Sequence, residues 1–202
     1  MLRFMLIKQE YRKQIFRRFP LDDKNFEELM RAASVKRIAP GTILLAEGDV
    51  AKNLFLVICG CLRTYFIKED GKDITAQFFI EDQIVASFES AATGTPSRAY
   101  IEAIEDSIIA AIPLKTFEKI RGRSTFMQEG FNRFLVNRLV YYMEHCASYI
   151  LDNPEERYVK LLKDSPELVA RLPKQYIASY LGITPVSLSR IRSRLKKKNH
   201  RN

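Results

Sequence analysis

Few residues in this 202-residue chain combine type and spacing in a way suited to chemistry. Cys59 and Cys61 flank Gly60 in an apolar stretch. Side chains two apart on a strand share a face, so the pair could clip a metal if other ligands joined it. His145 and His200 are the only histidines, and a metalloenzyme usually needs more His, or His with Cys, at ligand spacing. The cysteines therefore read as small core residues, as does Cys146 in a helical stripe, and no metal and no disulfide framework is expected. Residues 35–113 hold no histidine, and their carboxylates Glu81, Asp82, Glu102, Glu105 and Asp106 fall mostly at turns and strand edges. Acid–base chemistry has little to work with there, and the chain reads as a non-enzyme that requires no cofactor.

The other candidate is GITPVSLSRIRSRLKKK, residues 182–198. Gly182 suits the left-handed backbone of a tight turn. Thr184 is a good N-cap, and Pro185 fits the first helical position, where its missing N–H is no loss. Ala178, four residues before Gly182, is small enough for a second helix to cross it closely. Ile177, Leu181, Ile183, Leu188 and Ile191 fall where two helices would face each other and a domain body. Together these signals predict helix, tight turn, helix over 174–194. At about 100° per residue, Leu188, Ile191 and Leu195 cluster on one side of the second helix. Val186, Arg190, Ser193 and Lys197 lie opposite, flanked by Ser187, Ser189 and Arg194. Such a face matches a DNA major groove, which offers guanine acceptors, thymine methyls and nearby phosphates. Arg190 is the expected base reader and Val186 a contact for a thymine methyl. Thr184, Ser187 and the helix N-terminus would hold phosphate, and Arg192, Arg194 and Lys196–Lys198 would add salt-sensitive attraction.

Charge agrees with this placement. Residues 153–202 hold twelve Lys/Arg against four Asp/Glu, whereas residues 1–152 hold 21 against 20. The net +9 therefore lies almost wholly in the last quarter, as for a polyanion-binding module joined to a near-neutral domain. No apolar run approaches the ~18 residues of a membrane helix. The opening MLRFMLIKQEYRK is too short and too charged for a signal peptide. A cytoplasmic protein with no membrane partner is expected.

The elements that must position these residues follow from periodicity. KQEYRKQIFRRF and NFEELMRAASV read as short helices. TILLAEGD, NLFLVICGCLRTYFI, KDITAQFFI and YIEAIEDSIIAAIP are β-rich, with EDGKD a hairpin turn. Many short strands with turns every ~8–12 residues argue for an antiparallel roll. Leu114–Ile120 reads as a short helix. From Ser124 to about Leu151 the period is helical: Phe131, Leu135, Leu139, Tyr142, Cys146 and Ile150 form an apolar stripe suited to pairing with a second copy. LDNP (151–154) breaks that helix, with Asp152 or Asn153 as the next cap. The fold class is thus α+β: an antiparallel β-roll with flanking helices (1–123), a long dimerisation helix (124–152), and a winged-helix or helix-turn-helix domain (153–202).

This order, together with EGD (47–49), LFLVICGCLRTYF (54–66), DGKD (70–73), PSRAYIEAIEDS (96–107) and IASYLGITPVSLSRIR (177–192), resembles the Crp/Fnr superfamily of bacterial transcription regulators. The ITPVSLSR and PSR segments are similar to members from Bacteroidetes-type bacteria. The resemblance implies a cyclic-nucleotide-binding-like roll, a homodimer on a pseudo-palindromic site in double-stranded DNA, a small-molecule effector, and RNA polymerase as a further partner. Cyclic-AMP-binding members carry Gly-Glu and, about ten residues on, Arg-Ser. The corresponding positions here are Ala86-Ser87 and Ser97-Arg98, with Tyr142 and Met143 where the long helix would meet the base. The expectation is an altered effector pocket that does not take cyclic AMP, a cyclic-nucleotide-responsive regulator being the alternative. No cysteine precedes Cys59, so an N-terminal iron–sulfur cluster of the Fnr type is not expected. Many relatives have an acidic residue after the proline of ITP; Val186 here implies a different operator. The rival readings are a cupin-like enzyme with a basic tail, and a signalling module using its basic end on membranes or protein partners.

Overall fold

The computed structural model of the chain describes residues 22–199. The helix expected over KQEYRKQIFRRF and His200 lie outside the described residues. The elements run α1 (Asp23–Ala32), β1 (Ser34–Ile38), β2 (Ile43–Leu45), β3 (Asn53–Cys59), β4 (Leu62–Ile67), β5 (Asp73–Phe79), β6 (Ile84–Val85), α2 (Phe88–Thr93), β7 (Tyr100–Ala103) and β8 (Ser107–Pro113). They are followed by α3 (Leu114–Arg123), α4 (Thr125–Leu151), α5 (Pro154–Asp164), α6 (Pro166–Arg171), α7 (Lys174–Tyr180) and α8 (Pro185–Asn199). The chain divides into two compact units: residues up to 64 with 78–140, and residues 65–77 with 141 onward. The division falls inside α4, the helix that the sequence reading sets apart as a segment of its own.

The strands form two four-stranded sheets, ordered β1-β8-β3-β6 and β2-β7-β4-β5, all in the first unit except residues 65–67 of β4 and 73–77 of β5. Residues 54–58 of β3 are buried on both faces, because the second sheet covers one face and helices cover the other, while β8 and β6 pair with its edges. Its side chains alternate as a strand requires. Phe55 and Val57 join Leu62, Phe79, Ile101 and Ile109 in a core filled from both sheets. Leu54, Leu56 and Ile58 point the other way, toward Phe26, Leu29 and Met30 of α1, Phe117 and Ile120 of α3, and Met127 of α4. Sheet, sheet and helix layers thus share β3 and β8. One buried ion pair, Arg63 to Glu102 at 2.7 Å, sits in this unit.

The two strand cysteines do not share a face. The β3–β8 register shifts between Val57 and Cys59, a bulge that re-aims the side chains after it, and Gly60 follows at φ 98°. Cys59 is exposed and Cys61 buried, which removes the metal-clip option and corrects the expectation that both are core residues. Cys146 is exposed too, not buried in a stripe. Gly60 has no alternative residue: a Cβ there would lie 2.7 Å from the Ser107 Cα.

α4 carries apolar residues on two faces. Phe131 packs edge-on against Phe117, ring centroids 5.2 Å apart, and Phe134 meets Phe88 at 5.7 Å. Phe131 was expected on a dimer stripe; it turns instead into its own unit's core. The exposed apolar row is Val136, Leu139, Met143, Cys146 and Ile150, spaced three, four, three and four. Leu135 and Tyr142 border this row, less exposed than Leu139 and Met143.

The second unit is helical apart from the β4–β5 hairpin tip, where the Ser179 Oγ accepts from the Thr75 N–H at 2.9 Å. Among the described residues no strand follows Pro113. The module is therefore helix-turn-helix without a wing, and the six-residue α6 precedes the two-helix motif. Tyr158, Leu161, Val169, Leu172, Ile177, Leu181, Leu188 and Ile191 are among its buried apolar residues.

Candidate nucleic-acid interface

Residues 174–199 form α7, a turn and α8. The turn is a Schellman motif: Ile183 N–H donates to Ala178 O at 3.0 Å and Gly182 N–H to Ser179 O at 3.1 Å, satisfying carbonyls that the helix end would orphan. Gly182 supplies the required left-handed residue, φ 69°. Its Cα faces Tyr149, whose Cε1 would lie 3.4 Å from an added Cβ. Thr184 caps α8, its Oγ1 accepting from Ser187 N–H at 3.2 Å, and Pro185 opens the helix. Ala178, Leu181 and Leu188 have no exposed surface and Ile191 almost none. The anchor face of α8 is thereby set, and with it the face turned away.

On that outward face Val186, Ser189, Arg190, Ser193 and Lys197 are all exposed. The Ser193 hydroxyl donates back to Ser189 O at 3.0 Å, which leaves its lone pairs outward. Arg190 makes no hydrogen bond or ion pair among the described residues and is free to reach a partner. Thr184 and Ser187 are half committed to the cap, their hydroxyls 3.0 Å apart. Arg194 differs from the rest: it is paired with Glu155 at 2.7 Å, and Lys198 pairs with the same carboxylate at 3.2 Å. Glu155 is a residue that sequence reasoning missed. Its only signal was position, in the first turn after the LDNP break.

That first turn is closely held. Asn153, not Asp152, is the cap of α5: its Oδ1 accepts from the Glu155 and Glu156 N–H groups at 3.0 and 3.1 Å. Glu156 Oε2 accepts in return from Asn153 N–H at 2.8 Å, a capping box. Behind the turn of the motif, Arg157 stacks 4.6 Å over Tyr149 and donates to Leu181 O at 3.0 Å. The Tyr149 hydroxyl donates to Tyr180 O. His145 Nδ1 lies 3.2 Å from the Tyr180 hydroxyl. Burial, helped by the charges of Arg157 and Lys160, pushes the His145 pKa below its ordinary 6.5 and keeps the ring neutral. Burial first, then Tyr141, raises the Tyr180 phenol far above its usual range.

The candidate effector residues are placed as follows. Ala86 is in the helix-facing core of the first unit. Ser97 is buried, its Oγ 2.8 Å from Ala99 O and 3.0 Å from the Ser87 Oγ. The two serines therefore come together and use each other. Arg98 is exposed and unpaired among the described residues. Tyr142 and Met143 are exposed on the part of α4 that belongs to the second unit. Among the described residues, no three His, Cys, Asp or Glu come together in a way that could hold a metal ion. No helix among them is long and apolar enough to cross a membrane.

Comparison with known proteins places this geometry. The cyclic nucleotide-binding domain family matches residues 35–124. The fumarate and nitrate reduction regulatory protein of Vibrio cholerae is 24% identical over 191 residues, covering 89% of this chain and 76% of that protein. A crystal structure of a Crp/Fnr-family transcriptional regulator from Eubacterium rectale superposes with TM-score 0.70 at 19% identity, covering 89% of this chain and 85% of the other. The c-di-GMP responsive global regulator CLP of Xanthomonas campestris gives TM-score 0.72 at 16% identity, over 88% and 93%. At these identities the structural likeness is one of fold.

Proposed function

We propose that this chain, which belongs to the Crp/Fnr superfamily, is a DNA-binding transcription regulator that works as a cytoplasmic homodimer on a pseudo-palindromic operator. The observation that carries the reading is Arg190: a guanidinium, exposed and unpaired among the described residues, on the face of α8 opposite the buried Leu188–Ile191 anchor. A bidentate donor so placed fits the O6 and N7 acceptors of guanine. Val186, Ser189, Ser193 and Lys197 complete the reading face. Thr184, Pro185, Ser187 and the start of α8 approach phosphate, and Arg194 stands at the flank.

The dimer is supported by the exposed row on α4. Val136, Leu139, Met143, Cys146 and Ile150 keep the 3.5-residue repeat of a left-handed helix pair, and Met143 and Ile150 are 63% and 81% exposed. Two-fold pairing of α4 would present two copies of α8 to half-sites about one helical turn apart. An altered effector response is supported by Ser97, whose hydroxyl is buried and already engaged with Ser87 and Ala99. A free cyclic phosphate would have to displace those bonds.

The test is selection of bound fragments from genomic DNA, followed by titration of the best site with the unsubstituted chain and with Arg190→Ala. The substitution is expected to cost about 1–3 kcal/mol on the operator and to relax preference at one base pair in each half-site. Equal losses on operator and random DNA would exclude base reading by Arg190. Repeating the titration with cyclic AMP is expected to leave the affinity unchanged.

A further inference from the structure

We propose that Glu155 is a specificity-determining residue, an internal carboxylate that competes with DNA phosphates for Arg194 and Lys198. The proposal rests on the DNA-binding reading above. Arg194 and Lys198 are four apart on α8, so they share a face, and at about 100° per residue that face is the flank between the buried anchor and Arg190. Both converge on one side chain of α5. The Arg194 Nη2 lies 2.7 Å from Glu155 Oε2, and the Lys198 Nζ lies 3.2 Å from Oε1. Each carboxylate oxygen thus serves one cation.

The two sides of this clip are unequally fixed. Glu155 is the shielded member, 22% exposed, while Arg194 and Lys198 are 63% and 70% exposed. Its backbone is held by Asn153 in the capped first turn. Its charge sits at the N-terminus of the eleven-residue α5, where the helix dipole favours a carboxylate. The acid is therefore the anchored member, and the cations are long, exposed arms that reach in from solvent. Ion pairs this exposed are weak, so phosphates can draw the arms away, but only against the pull of Glu155.

This divides the positive charge of α8 by role. Arg190, aimed at a base edge, is unpaired among the described residues. Arg194 and Lys198, on the flank, share one carboxylate in the free protein, which offsets one of their two charges. Binding to random DNA rests on phosphate contact alone and can reorient to use every free cation. On the operator, base contacts hold α8 in one pose, and flank cations gain only those phosphates that the pose brings near. Restraining Arg194 and Lys198 therefore weakens random-sequence binding more than operator binding, and the ratio of the two is what selects a site in a genome.

The experiment measures binding of the full chain to its selected operator and to a random duplex of equal length, over a series of NaCl concentrations. Variants are Glu155→Gln, Glu156→Gln, Arg194→Gln and the double variant Glu155→Gln/Arg194→Gln, with melting temperatures taken alongside. Glu156→Gln is the charge control: it removes the same charge one residue on, and the amide oxygen can still accept from Asn153 N–H. Glu155→Gln is expected to tighten random-DNA binding roughly tenfold and to steepen the log–log salt slope by about 2–4 per dimer, with a smaller gain on the operator. Arg194→Gln alone is expected to reduce the slope by less than the same substitution does in the Glu155→Gln background. Identical slopes and random-DNA affinities for Glu155→Gln and Glu156→Gln would overturn the clip while leaving the DNA-binding reading intact. Absence of DNA binding by the unsubstituted chain would overturn both. A lowered melting temperature without the slope change would reduce Glu155 to a structural contact and also overturn the proposal.

Discussion

Arg190 and Arg194 show how position, not residue type, divides labour on one helix. They lie four residues apart on α8, yet one is unpaired among the described residues and the other is held by Glu155 at 2.7 Å. Types and spacing put Arg190 on the outward face and Arg194 at its flank, but gave no sign that Arg194 is paired, because its partner stands 39 residues upstream. Gly182 is a case in which type was enough, since a tight helix end asks for a left-handed residue. Substituting Gly182→Ala keeps the chain's chemistry but forces a Cβ onto a residue at φ 69°, 3.4 Å from Tyr149 Cε1. The expected loss is about 1–2 kcal/mol of stability, measured by urea unfolding of the full chain. A parallel weakening of operator binding is expected, because the turn sets the angle of α8.

At the scale of elements, α4 is where periodicity and packing part company. A stripe through Phe131, Leu135, Leu139, Tyr142, Cys146 and Ile150 is a fair reading of apolar spacing on a helix. It joins two faces into one. Phe131 belongs to the face that covers Phe117, and the exposed row runs through Val136, Leu139 and Met143. The sequence marks both faces as apolar, and only the packing of α3 and β3 against Met127 and Phe131 tells which is already covered. The two faces predict different failures. Leu139→Glu is expected to shift the chain from dimer to monomer in sedimentation velocity while its melting remains cooperative. Phe131→Ala is expected to cost about 3 kcal/mol of stability and to leave the seam residues in place. If Leu139→Glu stays dimeric, the seam lies elsewhere.

At the scale of the whole molecule, stability carries a pH signature from His145. Its ring is kept neutral by burial and by Arg157 and Lys160, so its folded pKa lies below the ordinary 6.5. Between those two values the unfolded chain binds more protons than the folded one, and stability rises with pH. The contribution is complete above about pH 6.5 and is lost as pH falls toward the folded value. Urea midpoints at pH 7.5 and 5.5 are expected to differ less for His145→Gln than for the unsubstituted chain; equal differences would exclude the histidine as the source. Much of this molecule could be read before any coordinates. The β-rich first half, the long helix, the capped helix-turn-helix and the concentration of positive charge in the last quarter follow from local rules, because strand alternation, helix period, caps and left-handed turns are properties of a few neighbouring residues. What required the tertiary structure was every question of which partner a residue finds. The bulge at Val57–Cys59 separates two cysteines that strand alternation would pair. Ser97 is occupied by Ser87, ten residues away. Arg194 is answered by an acid on another helix. Contacts between distant segments leave no period in the sequence, so the exposed face of α8 was legible, and the carboxylate that pairs with Arg194 and Lys198 was not.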